Sequence, residues 1–333
     1  MLSNDVYMQT FTLLPPHTRI QLSTVCILWN ALIGVTHPKL CKIISGNNRD
    51  GITIWDANTG NKLQTFGKYN IIRDYRCYFQ DKQFMISGGS NSKIKIWNTE
   101  TGTKTIIPVR TSNNNTLIVD CICCSPNNKF IAGVSSEGSI YIWDMTTHVL
   151  VRTLRLINCV NCICYSPDNK FIASGHRNTI TIWDSDTGQL IRTLHGHTNG
   201  INCICYSSNN TFMASGSRNN VVQIWNTELG VLVRKLYGHT GSVNCICYSP
   251  DNNFIASGSG DKSIKIWNSR TGTLIRTLNG HTKMIGCICY SLDNDFIVSG
   301  SNDSRIKIWN VATGELIQTL NDYNGNVISV CCL

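Results

Sequence analysis

Three kinds of chemistry are within reach of the side chains in this 333-residue chain: nucleophilic attack, metal binding and recognition of anions. A histidine, a serine and an aspartate, the residue types of a hydrolytic triad, stand near one another at His239, Ser257 and Asp261, and again at His281, Ser299 and Asp303. Cysteines at CxxC spacing, Cys121 with Cys124 and Cys159 with Cys162, offer thiolates of the kind zinc takes. Twenty-nine lysines and arginines against twenty acidic residues give a formal net charge of +9. That balance favours acidic or phosphorylated partners, or nucleic acid, without choosing among them.

Which of these chemistries is real depends on the elements that carry the residues, and those elements follow from a repeat. Trp55, Trp97, Trp143, Trp183, Trp225, Trp267 and Trp309 are separated by 42, 46, 40, 42, 42 and 42 residues. One unit, HTGSVNCICYSPDNNFIASGSGDKSIKIWNSRTGTLIRTLNG, runs from His239 to Gly280. It holds four strand signals, Val243 to Tyr248, Phe254 to Gly258, Ser263 to Trp267 and Leu274 to Leu278, with turn residues between them. No segment of it has room for a long helix. A four-stranded antiparallel sheet of this size cannot bury both of its faces alone, so the units must stack around an axis.

These residues resemble the WD-repeat family, whose unit has Gly-His near its start and Trp-Asp near its end, and the resemblance covers residues 41–333. It implies an all-β fold, a seven-bladed WD-repeat β-propeller. It also implies a hydrogen-bonded tetrad within a blade, mapped here onto His239, Ser257, Asp261 and Trp267, onto His281, Ser299, Asp303 and Trp309, and onto His197, Ser215, Asn219 and Trp225. A trio that recurs and also ties down an indole N–H is better explained as structure than as a nucleophile. Tyr69, Asn115, Leu156 and Tyr323 stand where the other blades would carry histidine, so packing is expected to hold those blades. The four extra residues between Trp97 and Trp143 fall in RTSNNN at 110–115 and should protrude.

The first tryptophan unit has strands two, three and four, at about Lys42–Ser45, Gly51–Trp55 and Lys62–Phe66, and no first strand before them. The segment NVISVCC, Asn326 to Cys332, aligns with VNCICY and should complete that blade from the C-terminus. A ring closed this way leaves no exposed edge along its circumference to template aggregation.

Residues 2–32 do not follow the repeat. Val6, Phe11, Leu14, Ile20, Leu22, Val25, Trp29 and Leu32 recur at roughly helical spacing, interrupted after Pro15-Pro16. Through Leu2, Asp5, Val6, Phe11, Leu14, Pro15, Ile20, Leu22, Ser23, Val25, Cys26 and Trp29 the segment resembles an F-box without gaps, departing at Ser3 and Arg19. The resemblance implies a small α-helical F-box-like segment over residues 1–40. It would dock a Skp-family adaptor, and through it a cullin complex, by Leu2, Val6, Phe11, Leu14, Pro15, Ile20, Leu22, Val25 and Trp29. The other reading is a helical cap whose apolar residues merely pack on the propeller.

Consecutive antiparallel strands alternate in direction, so a chain that enters at a second strand does so on the face of the one–two and three–four loops. The opposite face, of the four–one and two–three loops, is left for a target. Arg49, Lys68, Arg110, Arg155, Arg177, Arg218 and Lys283 fall there, with Asp50 and Glu137 opposing. The arginine fork suits phosphate or carboxylate. The F-box resemblance implies that this protein serves substrate recognition in an SCF-type ubiquitin ligase; the alternative is a non-catalytic WD-repeat scaffold. Neither cofactor nor metal is expected, because strand residues three apart face opposite sides and the CxxC pairs lack a converging turn. The Cys-Ile-Cys pairs, such as Cys245 with Cys247, are read as packing residues. No recognition helix points to nucleic acid, and no apolar run approaches a membrane span. Without a secretory signal the protein is placed in the cytoplasm or nucleus.

Overall fold

The computed structural model of the protein describes residues 42–47, 51–66, 74–78, 84–89, 93–98, 100–108, 119–135, 138–155, 159–321 and 325–332. The F-box-like residues 1–40 lie outside them, as do Arg49, Lys68, Arg110 and the 110–115 insertion. Among the described residues there is no helix, and the strands form seven antiparallel sheets of four. Each sheet carries one tryptophan of the repeat, so the sheets are numbered here as blades 1 to 7, from Trp55 to Trp309.

Blade 6 shows how the unit folds. Its strands are Val243–Tyr248, Phe254–Ser259, Ile264–Asn268 and Leu274–Leu278. The turn after the first strand is set by Asn252 at φ 61, a conformation that asparagine tolerates better than most residues. Ser249 Oγ accepts the Phe254 amide at 2.9 Å and closes that turn. After the third strand, Asn268 Oδ1 accepts the amides of Arg270 and Thr271, and Gly272 at φ 78 completes the reversal. The fourth strand lies outermost and half-exposed, with Leu274 and Ile275 facing solvent.

The inner strands touch one another in sequence around the molecule, and the last, Val327–Cys332, touches those of blades 7 and 2. It also pairs with Ile43–Asn47, Ile43 opposite Cys332 and Ile44 opposite Cys331, so both ends of this unit share blade 1. The contacts form a closed cycle, which defines a seven-bladed propeller.

The core lies between blades. Ile255 and Val243 of blade 6 pack with Ala214, Val222 and Leu236 of blade 5 in one buried cluster. The Ser-Gly-Ser of the second strand has a steric cause. A methyl group at Gly258 would come within 2.5 Å of Ile285 Cγ2 in the next blade and 2.6 Å of Cys245 Sγ. Gly216 and Gly300 are confined in the same way by Val243 and Val327. Small cysteines therefore fit where inner strands crowd, as the sequence suggested.

Polar groups tie successive blades in one direction. Asn161, Asn202 and Asn244 on the inner side of blades 4, 5 and 6 each donate from Nδ2 to the carbonyl of Ile201, Val243 and Ile285 in the blade that follows, at 3.0–3.1 Å. On the outer strand, Arg192 and Arg276 donate to the Glu228 and Thr313 carbonyls of the next blade at 2.9 and 2.7 Å.

Candidate functional site

The four residues mapped in blade 6 converge. Trp267 Nε1 donates to Ser257 Oγ at 2.8 Å, and His239 Nε2 lies 2.8 Å from the same hydroxyl. His239 Nδ1 lies 2.7 Å from Asp261 Oδ2. With Nδ1–H committed to the carboxylate, a neutral imidazole leaves Nε2 as acceptor, and the serine O–H donates to it. Blade 7 repeats the arrangement: Trp309 to Ser299 at 2.9 Å, Ser299 to His281 at 2.9 Å and His281 to Asp303 at 2.8 Å.

Burial alone would raise the Asp261 carboxyl, yet hydrogen bonds from Ser263, His239 and the Thr240 amide outweigh it and hold the group at about 2. Asp303 is held at about 2 in the same way, by His281 and the Thr282 and Arg305 amides. Desolvation lowers His239, against the opposing pull of Asp261. Both carboxylates are therefore charged acceptors and the imidazole of His239 is neutral near pH 7. The serines are spent as acceptors for the indole N–H and are 0% exposed, so no substrate carbonyl can approach them. The Ser-His-Asp sets are structural.

The blade 5 set assembles in part. Trp225 donates to Ser215 Oγ at 2.9 Å, and His197 Nε2 lies 2.7 Å from it. Asn219 does not join them: its Nδ2 donates to Thr198 Oγ1 at 3.2 Å, leaving His197 Nδ1 buried without a hydrogen bond. An amide presents a donor where the carboxylate of Asp261 presents an acceptor. Burial lowers the His197 imidazole to about 4.

The expectation that blades without the loop histidine rest mainly on packing needs correction for blade 4. In blade 4, where Leu156 takes the histidine's place, His176 from the turn after the second strand brings Nε2 to 2.7 Å from Thr181 Oγ1. Trp183 donates its N–H toward both Thr181 Oγ1 and Ser174 Oγ at 3.0 Å, and those hydroxyls lie 2.6 Å apart. Blades 1 and 2 keep the indole bond, Trp55 to Ser45 at 2.7 Å and Trp97 to Ser87 at 3.1 Å. Blade 3 alone has Gly133 in the serine's place, with the Trp143 ring against it.

These networks fix loops on the face of the four–one and two–three connections. Asp261 Oδ2 accepts the Thr240 amide, Ser259 Oγ donates to the Gly241 carbonyl at 2.8 Å, and the Gly260 amide donates to the Ser242 carbonyl at 2.8 Å. The Arg218 amide donates to the Gly200 carbonyl at 2.8 Å, and its Nε to Asn202 Oδ1 at 3.2 Å. Ser301 Oγ donates to the Lys283 carbonyl at 3.1 Å. Among the described target-face residues, Arg155, Arg177, Arg218 and Lys283 are all exposed on these loops. The structure adds Lys262 and Arg305, exposed one and two residues beyond the tetrad aspartates. Their position beside Asp261 and Asp303 was readable in the repeat, where blade 5 has Asn220 and Val221 instead. Among the described residues, no three histidine, cysteine or acidic side chains converge as metal ligands.

Five segments of the chain, residues 107–144, 149–184, 188–226, 230–268 and 272–310, match the family model described as WD domain, G-beta repeat. The chain is similar to Cilia- and flagella-associated protein 52 of Chlamydomonas reinhardtii, 24% identical over 111 residues, which is 33% of this chain and 17% of that protein. It is also similar to Nuclear distribution protein nudF of Aspergillus flavus and of Aspergillus oryzae. Each is 33% identical over 118 residues, 35% of this chain and 25% of the relative. The chain thus spans a quarter or less of the length of these curated relatives.

Proposed function

Because the chain belongs to the WD domain, G-beta repeat family, whose propellers are protein-interaction modules, we propose that its four–one and two–three loop face captures an acidic or phosphorylated protein segment. One observation carries this reading: Arg155, Arg177, Arg218 and Lys283 stand exposed on the connections of blades 3 to 7, two of them with backbones pinned by hydrogen bonds. Pre-set cations lose little freedom when an anion binds, and arginine can grip it with two parallel bonds. The test is binding of the full chain to a phosphopeptide array beside its unphosphorylated copy. The double variant Arg177→Glu, Arg218→Glu should abolish phosphopeptide capture; unimpaired capture refutes the role of this face.

We further propose, from the resemblance of residues 1–40 to an F-box, that the chain presents its target as the substrate-recognition subunit of a cullin-based SCF ubiquitin ligase in the cytoplasm or nucleus. Support comes from Leu14, Pro15 and Trp29 standing where the F-box pattern has them. A pull-down with a Skp-family adaptor should retain the wild type and lose Leu14→Asp and Trp29→Ala. No retention of the wild type leaves the alternative, a WD-repeat scaffold without a ligase role. The names of the relatives above, a nuclear distribution protein and a cilia- and flagella-associated protein, speak for that alternative.

A further inference from the structure

At the seam of the ring, two thiols on neighbouring inner strands, Cys289 and Cys332, come into direct contact. In INCICY and VNCICY the cysteine before the tyrosine shares a buried inter-blade cluster with the tyrosine of the next blade, Cys205 with Tyr248 and Cys247 with Tyr290. The closing strand reads VISVCC. Cys332 pairs with Ile43 as Tyr290 pairs with Ile297, so it takes the tyrosine's place. Where the last junction would set Cys289 beside a tyrosine, it sets it beside a second cysteine, and the two Sγ atoms lie 3.4 Å apart.

We propose that Cys289 and Cys332 form a reversible disulfide that bolts the closing strand to blade 7, with a low-molecular-weight disulfide as the oxidant. Bonding requires the sulfurs to close from 3.4 Å to about 2.05 Å. The neighbouring thiols are directed elsewhere, Cys287 Sγ toward the Val327 carbonyl at 3.7 Å and Cys331 Sγ toward the Cys332 carbonyl at 3.5 Å. Cys289 is partly exposed, whereas Cys332 is 4% exposed. Cys289, as thiolate, attacks one sulfur of the small disulfide and expels one thiolate. Cys332, deprotonated in turn, attacks Cys289 Sγ of the mixed disulfide and expels the other. The two protein thiols lose two electrons and two protons, and the oxidant leaves as two thiols. The bond closes a loop between positions 43 apart in sequence. It converts a seam held by hydrogen bonds and packing into a covalent one.

The experiment uses the full chain incubated with glutathione disulfide, alkylated, and digested with trypsin without reduction. Peptides 284–305 and 308–333 should appear as one cross-linked species, lighter than their sum by two hydrogens. The oxidised protein should melt roughly 4–8 °C higher, an increase erased by a dithiol reductant. Cys287→Ser and Cys331→Ser should keep the cross-link; Cys289→Ser should lose it. Cys332→Tyr restores the residue of the other blades, and should fold normally yet lose both the cross-link and the redox shift in melting. Absence of the cross-link in the wild type, or its persistence in Cys289→Ser or Cys332→Tyr, overturns the proposal.

Discussion

His176 Nε2 lies 2.7 Å from Thr181 Oγ1, reaching the hydroxyl pair that holds the Trp183 indole from the turn after the second strand, whereas His239 and His281 come from the loop before the first. His176 is buried, so its loss leaves polar groups facing a cavity. His176→Ala should lower the unfolding free energy by about 1–3 kcal/mol, measured by urea titration. Thr181→Val should cost less, because Ser174 still accepts the indole N–H. A neutral His176→Ala would mean that blade 4 rests on packing after all.

Blade 5 is the incomplete member of the series, and completing it should stabilise the protein. In Asn219→Asp the new Oδ2 would face His197 Nδ1 and the Thr198 amide, as Asp261 faces His239 and Thr240. The expected gain is about 1 kcal/mol. NMR titration of the His197 imidazole should show its pKa rising at the same time. A pKa that stays put would show that the turn cannot bring the carboxylate into reach.

Stability should fall as the medium is acidified, in two windows. An unfolded imidazole takes up its proton near 6.5, whereas buried His197 does so only near about 4, so between these values the unfolded chain binds more protons. Burial lowers His239 in the same direction. Asp261 and Asp303 add stability that is complete above about pH 4 and is lost as the pH falls toward 2. Scanning calorimetry from pH 7 to pH 4 should show a falling Tm, with a shallower fall in His197→Gln. Equal slopes in the two proteins would remove His197 from the account.

Removing residues 324–333 should lower the melting temperature by roughly 10 °C or more. The deletion strips Ile43–Asn47 of its hydrogen-bonded partner and takes the inner strand out from between blades 7 and 2. An unchanged melting temperature would contradict the closed cycle.

Much of this architecture is legible in the amino-acid sequence, because tryptophan spacing and the turn residues that recur between strands such as Val243–Tyr248 and Phe254–Ser259 report directly on local geometry. The closing strand was legible for the same reason, since VISVCC aligns with VNCICY position by position. The role of His176 was hidden, because the repeat directs attention to a histidine before the first strand. Only the fold shows that a turn on the same face can supply one. Asn219 differs from Asp261 in a single atom, an amide nitrogen in place of a carboxylate oxygen, which similarity of shape conceals. Lys262 and Arg305 follow aspartates that the histidines and loop amides engage, so the charge left free on those turns shows only in the folded arrangement.

The carboxamide ladder of Asn161, Asn202 and Asn244 runs one way, each blade giving its proton to its successor. Such a ladder has consequences for inheritance. A gene for this propeller can change length without breaking the ladder only by gaining or losing a whole unit, or by letting a connection grow outside it. The 46-residue interval between Trp97 and Trp143, set among intervals of 40 and 42, is the second kind of change. Novelty in the loops is thereby uncoupled from the ring that carries them.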